Sequence, residues 1–353
     1  MMVRMAKHPI SRLRLAAFGP FEEIDVTWSP GLNVIVGDNA TGKSQLLKAM
    51  YSSTKVLRDT EALTKKELNP SLATKLMGTL RPDNLGRLTR RTRGRVSAKV
   101  GLTFAEIEVP LEFTFGSHAK REVAVGSVPE RSLDDEPVYL PPQELLSLSA
   151  SFLGLFDSYE TGFDETWRDT VELLLRPALR GPRAQQANEM LDSFSGLLQE
   201  GTVTENNGHF YLHQPGIGTL EAPLLAEGQR KVAMIARLIA NGVLLQGGYL
   251  FWDEPEANLN PASQRAIATV LVHLAGAGAQ VFVATHSMFL LRELQMLGEG
   301  INPRYVGLSR VQTTEESAAM AAVQAQAVDD LDELDYVAAL RAESEQAQRY
   351  LGW

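Results

Sequence analysis

The sequence predicts an α/β fold: a mixed sheet with helices on both sides, carrying a helical lobe and a basic insertion of strands and helix. Three observations predict it. The apolar run Leu32-Asn33-Val34-Ile35-Val36 leads through a glycine-rich turn into Leu46, Leu47 and Met50 at helical spacing, the strand, turn, helix order of a parallel sheet. Two more apolar runs, 248–252 and 280–284, follow much later in the chain, each ending in polar residues and separated by helical sequence. The stretch between alternates hydrophobic and polar residues over 100–125, then changes to helical periodicity over 164–199.

Composition sets the limits. With 353 residues, 44% hydrophobic and 22% charged, the chain can bury a sizeable core in one large or two smaller domains. A net charge of −9 argues against indiscriminate coating of nucleic acid but leaves room for a local basic surface. There are no cysteines, which excludes disulfides, cysteine zinc sites and thiol chemistry and fits a reducing, cytoplasmic setting. The N-terminal residues carry Arg4, Lys7, Arg12 and Arg14 with no long apolar stretch after them, so no signal peptide is expected. Residues 266–285 hold no charge over 20 positions, the length of a membrane span. His273 and the run Gly276-Ala277-Gly278-Ala279-Gln280 interrupt them, so they read as a helix, a turn and a buried strand.

Taken in order, residues 10–28 alternate around Leu13, Leu15, Phe18, Phe21, Ile24 and Val26 and predict a hairpin turned at Gly19-Pro20. Gly37-Asp38-Asn39-Ala40-Thr41-Gly42-Lys43-Ser44 comes next, followed by Gln45. Glycine, four residues, Gly-Lys-Ser lets backbone N–H groups wrap the phosphates of a nucleotide, with Lys43 on the β/γ oxygens and the Ser44 hydroxyl on Mg²⁺. Residues 52–80 read as helical. Within 81–99, Arg81, Arg87, Arg90, Arg91, Arg93, Arg95 and Lys99 face a single Asp83. Such a patch can neutralise duplex phosphates, or it is a solvated loop or a surface for an acidic partner. Val138-Tyr139-Leu140-Pro141-Pro142 is a strand ending in a turn, with Gln143 directly after it. Two amphipathic helices, broken at Arg180-Gly181-Pro182, precede a hairpin over 201–220 that turns at Asn206-Asn207-Gly208.

Ala226-Glu227-Gly228-Gln229 opens a helix that stops near Asn241-Gly242. The strand over 248–252 ends in Asp253 and Glu254, where the second metal-holding group of a phosphate-loop enzyme belongs. Asp253 is assigned to Mg²⁺ through water, and Glu254 to orienting or deprotonating the attacking water. The strand over 280–284 places His286 at its carboxyl end. Residues 313–353 read as acidic and helical. Their Asp329, Asp330, Asp332, Glu333 and Asp335 are expected on a solvated helix face or docking tail, with no apolar strand before them.

These elements in this order resemble ABC-type P-loop ATPase heads. Gly37-x-Asn39, the run from Trp252 to Pro261 and Ala284-Thr285-His286-Ser287 resemble the SMC/RecF branch and its compact OLD-like AAA-family members. The resemblance covers residues 10–310. It implies ATP and Mg²⁺ as cofactors and a homodimer packed head to tail, each ATP lying between the phosphate loop of one copy and the Ala226, Gly228 and Gln229 helix start of the other. Gln143 would sense Mg²⁺ and the γ-phosphate, Glu254 would act on water and His286 would contact the γ-phosphate. Asn258 to Asn260 would couple the two sites. The family serine is replaced by Ala226, so weaker nucleotide-driven dimerisation or slow turnover is expected. Fewer than 190 residues separate the phosphate loop from the Gly228 helix, without a sustained heptad, so long coiled-coil arms are not expected. Nor is a fused nuclease expected after His286.

The implied division is 1–51, the N-terminal part of the ATPase core; 52–135, the basic insertion; 136–223, the Gln143 loop and helical lobe; 224–310, the C-terminal part of the core; and 311–353, the tail. The function expected by analogy is a dimeric ATP-driven switch in genome maintenance or phage defence, with a separate effector. Two other classes compete. One is an ATP-dependent scaffold for a toxin or nuclease subunit. The other is the nucleotide-binding subunit of a membrane transporter, against which the Pro-Pro-Gln143 loop, the basic insertion and Asn258-Leu259-Asn260-Pro261 all speak.

Overall fold

In the computed structural model, which describes residues 6–92, 94–148, 151–245, 247–311 and 322–351, one sheet of 11 strands runs through the molecule. Its parallel part includes β3 (Leu32–Gly37), β7 (Pro137–Leu140), β11 (Tyr249–Asp253) and β12 (Gln280–Thr285), in the order β3-β12-β11-β7. Their carboxyl ends therefore meet along one edge. Each reads as a nearly continuous apolar run because both faces are buried. On β11, Leu250 and Trp252 enter one core while Tyr249 and Phe251 enter the other, the period of two at work.

The expected hairpin is present as β1 (Ile10–Phe18) and β2 (Phe21–Thr27), with Phe18 opposite Phe21 across the turn. β4 (Ser97–Phe104), β5 (Leu111–Gly116) and β6 (Ala124–Ser127) extend β1 antiparallel to the far edge. The basic insertion thus contributes strands to the common sheet. A second sheet of three strands, β8 (Thr202–Asn206), β9 (His209–Gln214) and β10 (Gly218–Glu221), contains the hairpin expected over 201–220 and adds one strand to it.

Helices cover both faces. α1 (Lys43–Asp59) and α2 (Lys65–Leu80) pack over the core shared with β1, β2, β4 and β5. The break between them falls where Thr64 caps α2 by accepting from the Glu67 N–H. α3 (Ser151–Ser158), α4 (Glu165–Leu175) and α5 (Pro182–Asp192) form the helical lobe, and α6 (Glu227–Ala240), α7 (Pro261–Gly276) and α8 (Met288–Gly298) cover the other face. The charge-free stretch 266–285 is the end of α7, a turn and β12, as its interruptions predict. Among the described residues no helix is long and apolar enough to cross a membrane.

The tail differs from expectation. β13 (Arg304–Arg310) pairs parallel to β3, and β14 (Val323–Val328) pairs antiparallel to β13 and reaches β2. The acidic cluster follows a strand, with Asp329 and Asp330 at its end and Asp332 and Glu333 in a 3-10 turn. Among the described residues of the tail, the α-helical segment is α9 (Ala338–Leu351). Val-Gln-Ala-Gln-Ala-Val carries helix-forming residues, and the pairing offered by β13 overrides that preference. Residues 313–321 of the expected tail lie outside the described residues.

Phe251 is wholly buried, stacked on Phe282 at 4.9 Å between centroids and edge-on to Tyr51 at 6.0 Å. Phe251→Ala is expected to lower unfolding stability by about 3–5 kcal/mol, read as a lower urea midpoint at unchanged slope.

Candidate functional site

Gly37 ends β3 and Lys43 begins α1, so the loop between them opens at the carboxyl edge of the sheet. Gly42 takes φ 93° as the cap of α1. A Cβ there would stand 2.6 Å from Pro20 and 2.8 Å from Phe21, so the loop lies against the β1–β2 turn and tolerates no side chain. Thr41 Oγ1 donates to Asp38 O at 2.8 Å. Lys43 is buried, its ammonium donating to Gly37 O at 2.8 Å and Asp38 O at 3.1 Å. The helix N-terminus at the end of this glycine-rich loop suits an anion, and the Lys43 ammonium lies beside it. Asp38 also accepts from Tyr336 Oη at 3.0 Å, and Arg310 donates to Ala40 O at 3.3 Å.

At the end of β11, Asp253 is buried. Its Oδ2 accepts from Tyr139 Oη at 3.1 Å. Burial, chiefly, pushes the Asp253 carboxyl up, against the pull of Ser44 and Tyr139. Burial and Asp253 hold the Tyr139 phenol well above its ordinary range, so it stays a donor. Asp253 Oδ1 is buried without a partner among the described residues. An unpaired oxygen on a buried carboxyl that faces the Ser44 hydroxyl suits a hydrated Mg²⁺, which would favour the charged form and satisfy that oxygen. Ser44 and Asp253 would hold the ion, and the ion would draw charge from the terminal phosphates.

Glu254 turns the chain out of the sheet at φ 45°, its N–H donating to Ala284 O at 2.8 Å. Its Oε1 lies 3.2 Å from His286 Nδ1. Both side chains are partly exposed, so a water can reach them. Gln143 is exposed in the loop after β7, and because β7 is parallel to β11 that loop emerges at the same edge. The carboxyl ends of these parallel strands thus bring Lys43, Ser44, Gln143, Asp253, Glu254 and His286 to one side of the sheet from four sequence segments.

Glu256, inside the run from Trp252 to Pro261, has a role that only the structure shows. It is buried, and its Oε1 accepts from Thr285 Oγ1 at 2.6 Å, His286 N–H at 2.9 Å and Ser287 N–H at 3.2 Å. This carboxylate fixes the backbone that carries His286. Tyr139 is likewise invisible as a site residue, since an aromatic in an apolar strand reads as core.

The helix start of α6 packs on the loop after β11 and on α7, and not on the cavity beside the phosphate loop. A cavity of about 400 Å³ is lined by Gly37, Asp38 and Asn39, by Thr285 to Ser287, and by Val337 and Ala342 from the tail; no residue of α6 lines it. Ala226 caps α6 without a side-chain hydrogen bond, as the missing serine predicts. Asn258 at φ 61° donates to Glu227 Oε1 at 3.3 Å within the same chain.

The basic stretch divides. Arg81 donates to Thr161 O at 2.6 Å and Phe163 O at 2.8 Å, and the largely buried Arg90 donates to Pro20 O at 2.9 Å. Arg87, Arg91, Arg95 and Lys99 are exposed. Arg93 lies outside the described residues.

A family model described as "AAA domain, putative AbiEii toxin, Type IV TA system" matches residues 127–292, and one described as "AAA domain" matches 9–54. The DNA replication and repair protein RecF of Limosilactobacillus fermentum is 45% identical over 42 residues, 12% of this chain and 11% of that protein. The RecF of Symbiobacterium thermophilum is 48% identical over 42 residues, with the same coverage. The ABC transporter ATP-binding/permease protein Rv1747 of Mycobacterium tuberculosis is 43% identical over 67 residues, 19% of this chain and 7% of that protein. The chain therefore spans about a tenth of the length of these curated relatives. Among solved structures, a Smc head bound to the C-winged helix domain of ScpA superposes with a TM-score of 0.56 at 13% identity, covering 92% of this chain and 98% of that one. The fold is that of a Smc head domain. The Pyrococcus furiosus Smc head with an extended coiled coil, bound to the C-terminal domain of ScpA, gives 0.52 at 11% identity, covering 96% and 100%. In this head the glycine-rich loop, the Asp253-Glu254 strand end and the His286 strand end occupy one sheet edge, as the sequence order implies.

Proposed function

We propose that this head binds and hydrolyses Mg·ATP and works as a nucleotide-driven dimeric switch in a DNA-related process, with a separate effector. The observation that carries the reading is the orphaned Asp253 oxygen beside Ser44, one residue from the Glu254–His286 pair. A phosphate cradle, a cation ligand and a water-activating carboxylate are what hydrolysis of a terminal phosphate requires. Glu254 would accept the proton of the attacking water, His286 would orient Glu254 and meet the γ-phosphate, and Lys43 would move from its loop carbonyls to the β/γ oxygens. Gln143 would complete the metal side.

The position of the α6 start supports the part of this reading that calls for a second copy. The 226–229 helix start does not line the phosphate-loop cavity of its own chain, so its dipole and N–H groups are available to a nucleotide held by another. Such a pairing is isologous and creates two equivalent sites.

Steady-state ATP hydrolysis with and without duplex DNA, against Glu254→Gln as blank, tests the reading. Mg²⁺-dependent turnover absent from the blank supports it, and turnover equal to the blank removes it. The alternative, an ATP-dependent scaffold for a toxin or nuclease subunit, draws on the toxin wording of the matched family model and is favoured by hydrolysis indifferent to DNA. For the DNA surface, Arg87, Arg91, Arg95 and Lys99 changed together to Ala are expected to weaken duplex binding. The slope of log K against log salt should flatten by about 3.6 if all four meet phosphates. An unchanged slope in a filter-binding titration would assign the patch to another partner.

A further inference from the structure

Lys231, on the second turn of α6, is wholly buried. No carboxylate among the described residues lies within ion-pair distance of it. Its ammonium donates instead to two carbonyls, Pro255 O at 3.0 Å and Ala257 O at 2.8 Å. These carbonyls lie one and three residues beyond Glu254. The loop they belong to is already bent twice into the left-handed region, at Glu254 (φ 45°) and Asn258 (φ 61°), which L-residues adopt only when their surroundings enforce it.

Two more contacts tie the same elements. Asn258 donates to Glu227. A Cβ on Gly228 would stand 2.6 Å from Ser263 Oγ, so the start of α6 lies directly on the first turn of α7. A desolvated ammonium is a costly way to satisfy two carbonyls that a neutral donor would also serve. What the charge adds is strong, charge-assisted bonds and a positive centre among Glu227 on its own helix, Glu144 from the loop after β7, and Glu254 and Glu256 from the loop it grips. Arg230 beside it faces Glu144 at 2.9 Å.

We propose that Lys231 is a positioning residue: it holds the 254–258 loop so that Glu254 meets the attacking water, and it transmits to that loop any shift of the α6 start when a second copy's nucleotide docks there. The inference rests on the reading of the site as an ATPase. It adds that each chain's water-activating carboxylate is set by its own α6.

Burial lowers the Lys231 pKa to about 8 from an ordinary 10.5, against the four carboxylates. The unfolded chain therefore keeps this proton to higher pH, and between pH 8 and 10.5 the group makes stability rise with pH. A rate that falls in the same window is then not lost through this group's effect on folding.

The test uses the full chain. Lys231→Met is expected to bind ATP within about threefold of wild type while kcat falls at least tenfold, and Lys231→Arg is expected to restore most of kcat. Wild-type kcat should decline above pH 8 while that of Lys231→Arg stays level, because a guanidinium keeps its charge there. Should Lys231→Met fail to fold, the pH comparison decides alone. Unchanged kcat in Lys231→Met, or identical pH profiles for wild type and Lys231→Arg, overturns the inference with the ATPase reading intact. Wild-type turnover no faster than that of Glu254→Gln removes both.

Discussion

Glu254→Gln is expected to reduce ATP turnover by at least about 100-fold, the scale of a lost general base, while ATP affinity stays within about threefold of wild type. The substitution keeps the shape of the side chain, and the amide oxygen can still face His286 Nδ1, which lies 3.2 Å from the carboxylate. What disappears is the ability to take a proton from water. The left-handed turn at this residue depends on the backbone bond to Ala284 O, which the change leaves alone. Phosphate release in single-turnover conditions, beside equilibrium binding of a fluorescent ATP analogue, separates the two quantities. Turnover at wild-type level would remove Glu254 as the water-activating group and, with it, the reading of this site as an ATPase.

Lys43→Ala is expected to weaken ATP binding by at least about 100-fold, equivalent to about 3 kcal/mol for a charged hydrogen-bonding group lost from a phosphate site. The loop should survive the change. Its carbonyls at Gly37 and Asp38 sit at the open sheet edge, where water replaces the ammonium, and Thr41 still closes the loop on Asp38. The melting temperature without nucleotide should therefore barely move, whereas the rise produced by saturating Mg·ATP should vanish. A variant that retains wild-type affinity would remove the phosphate-loop assignment.

The two substitutions act on residues that were legible from the chain alone, and the reason is local. Glycine spacing, an apolar run before it and helical spacing after it all fall within about one strand and one helix. The same holds for Asp253-Glu254 and His286, each at the end of an apolar run whose two buried faces leave an unmistakable pattern. The missing serine at Ala226 was also local, and the structure shows its consequence in a helix start without a side-chain cap.

The tail was misread for an equally physical reason. Ala and Gln favour helix in isolation, and nothing within 323–328 announces a neighbouring strand edge; the pairing with β13 exists only after the sheet has assembled. The basic stretch shows the same limit, since its charge is countable in sequence, while the commitment of Arg81 and Arg90 to carbonyls at 161, 163 and 20 is not.

The sequence by itself determined the phosphate cradle, the acids at the strand end and the order of elements, because short-range spacing encodes backbone shape and the chemistry presented at its turns. The tertiary structure decided how those groups are tuned. Tyr139 reaches Asp253 across 114 residues, Glu256 fixes the backbone at His286 from 30 residues away, and Lys231 grips carbonyls 24 and 26 residues on. Burial that strips water from a carboxylate or an ammonium is a property of the packed sheet and helices, and no window of sequence contains it.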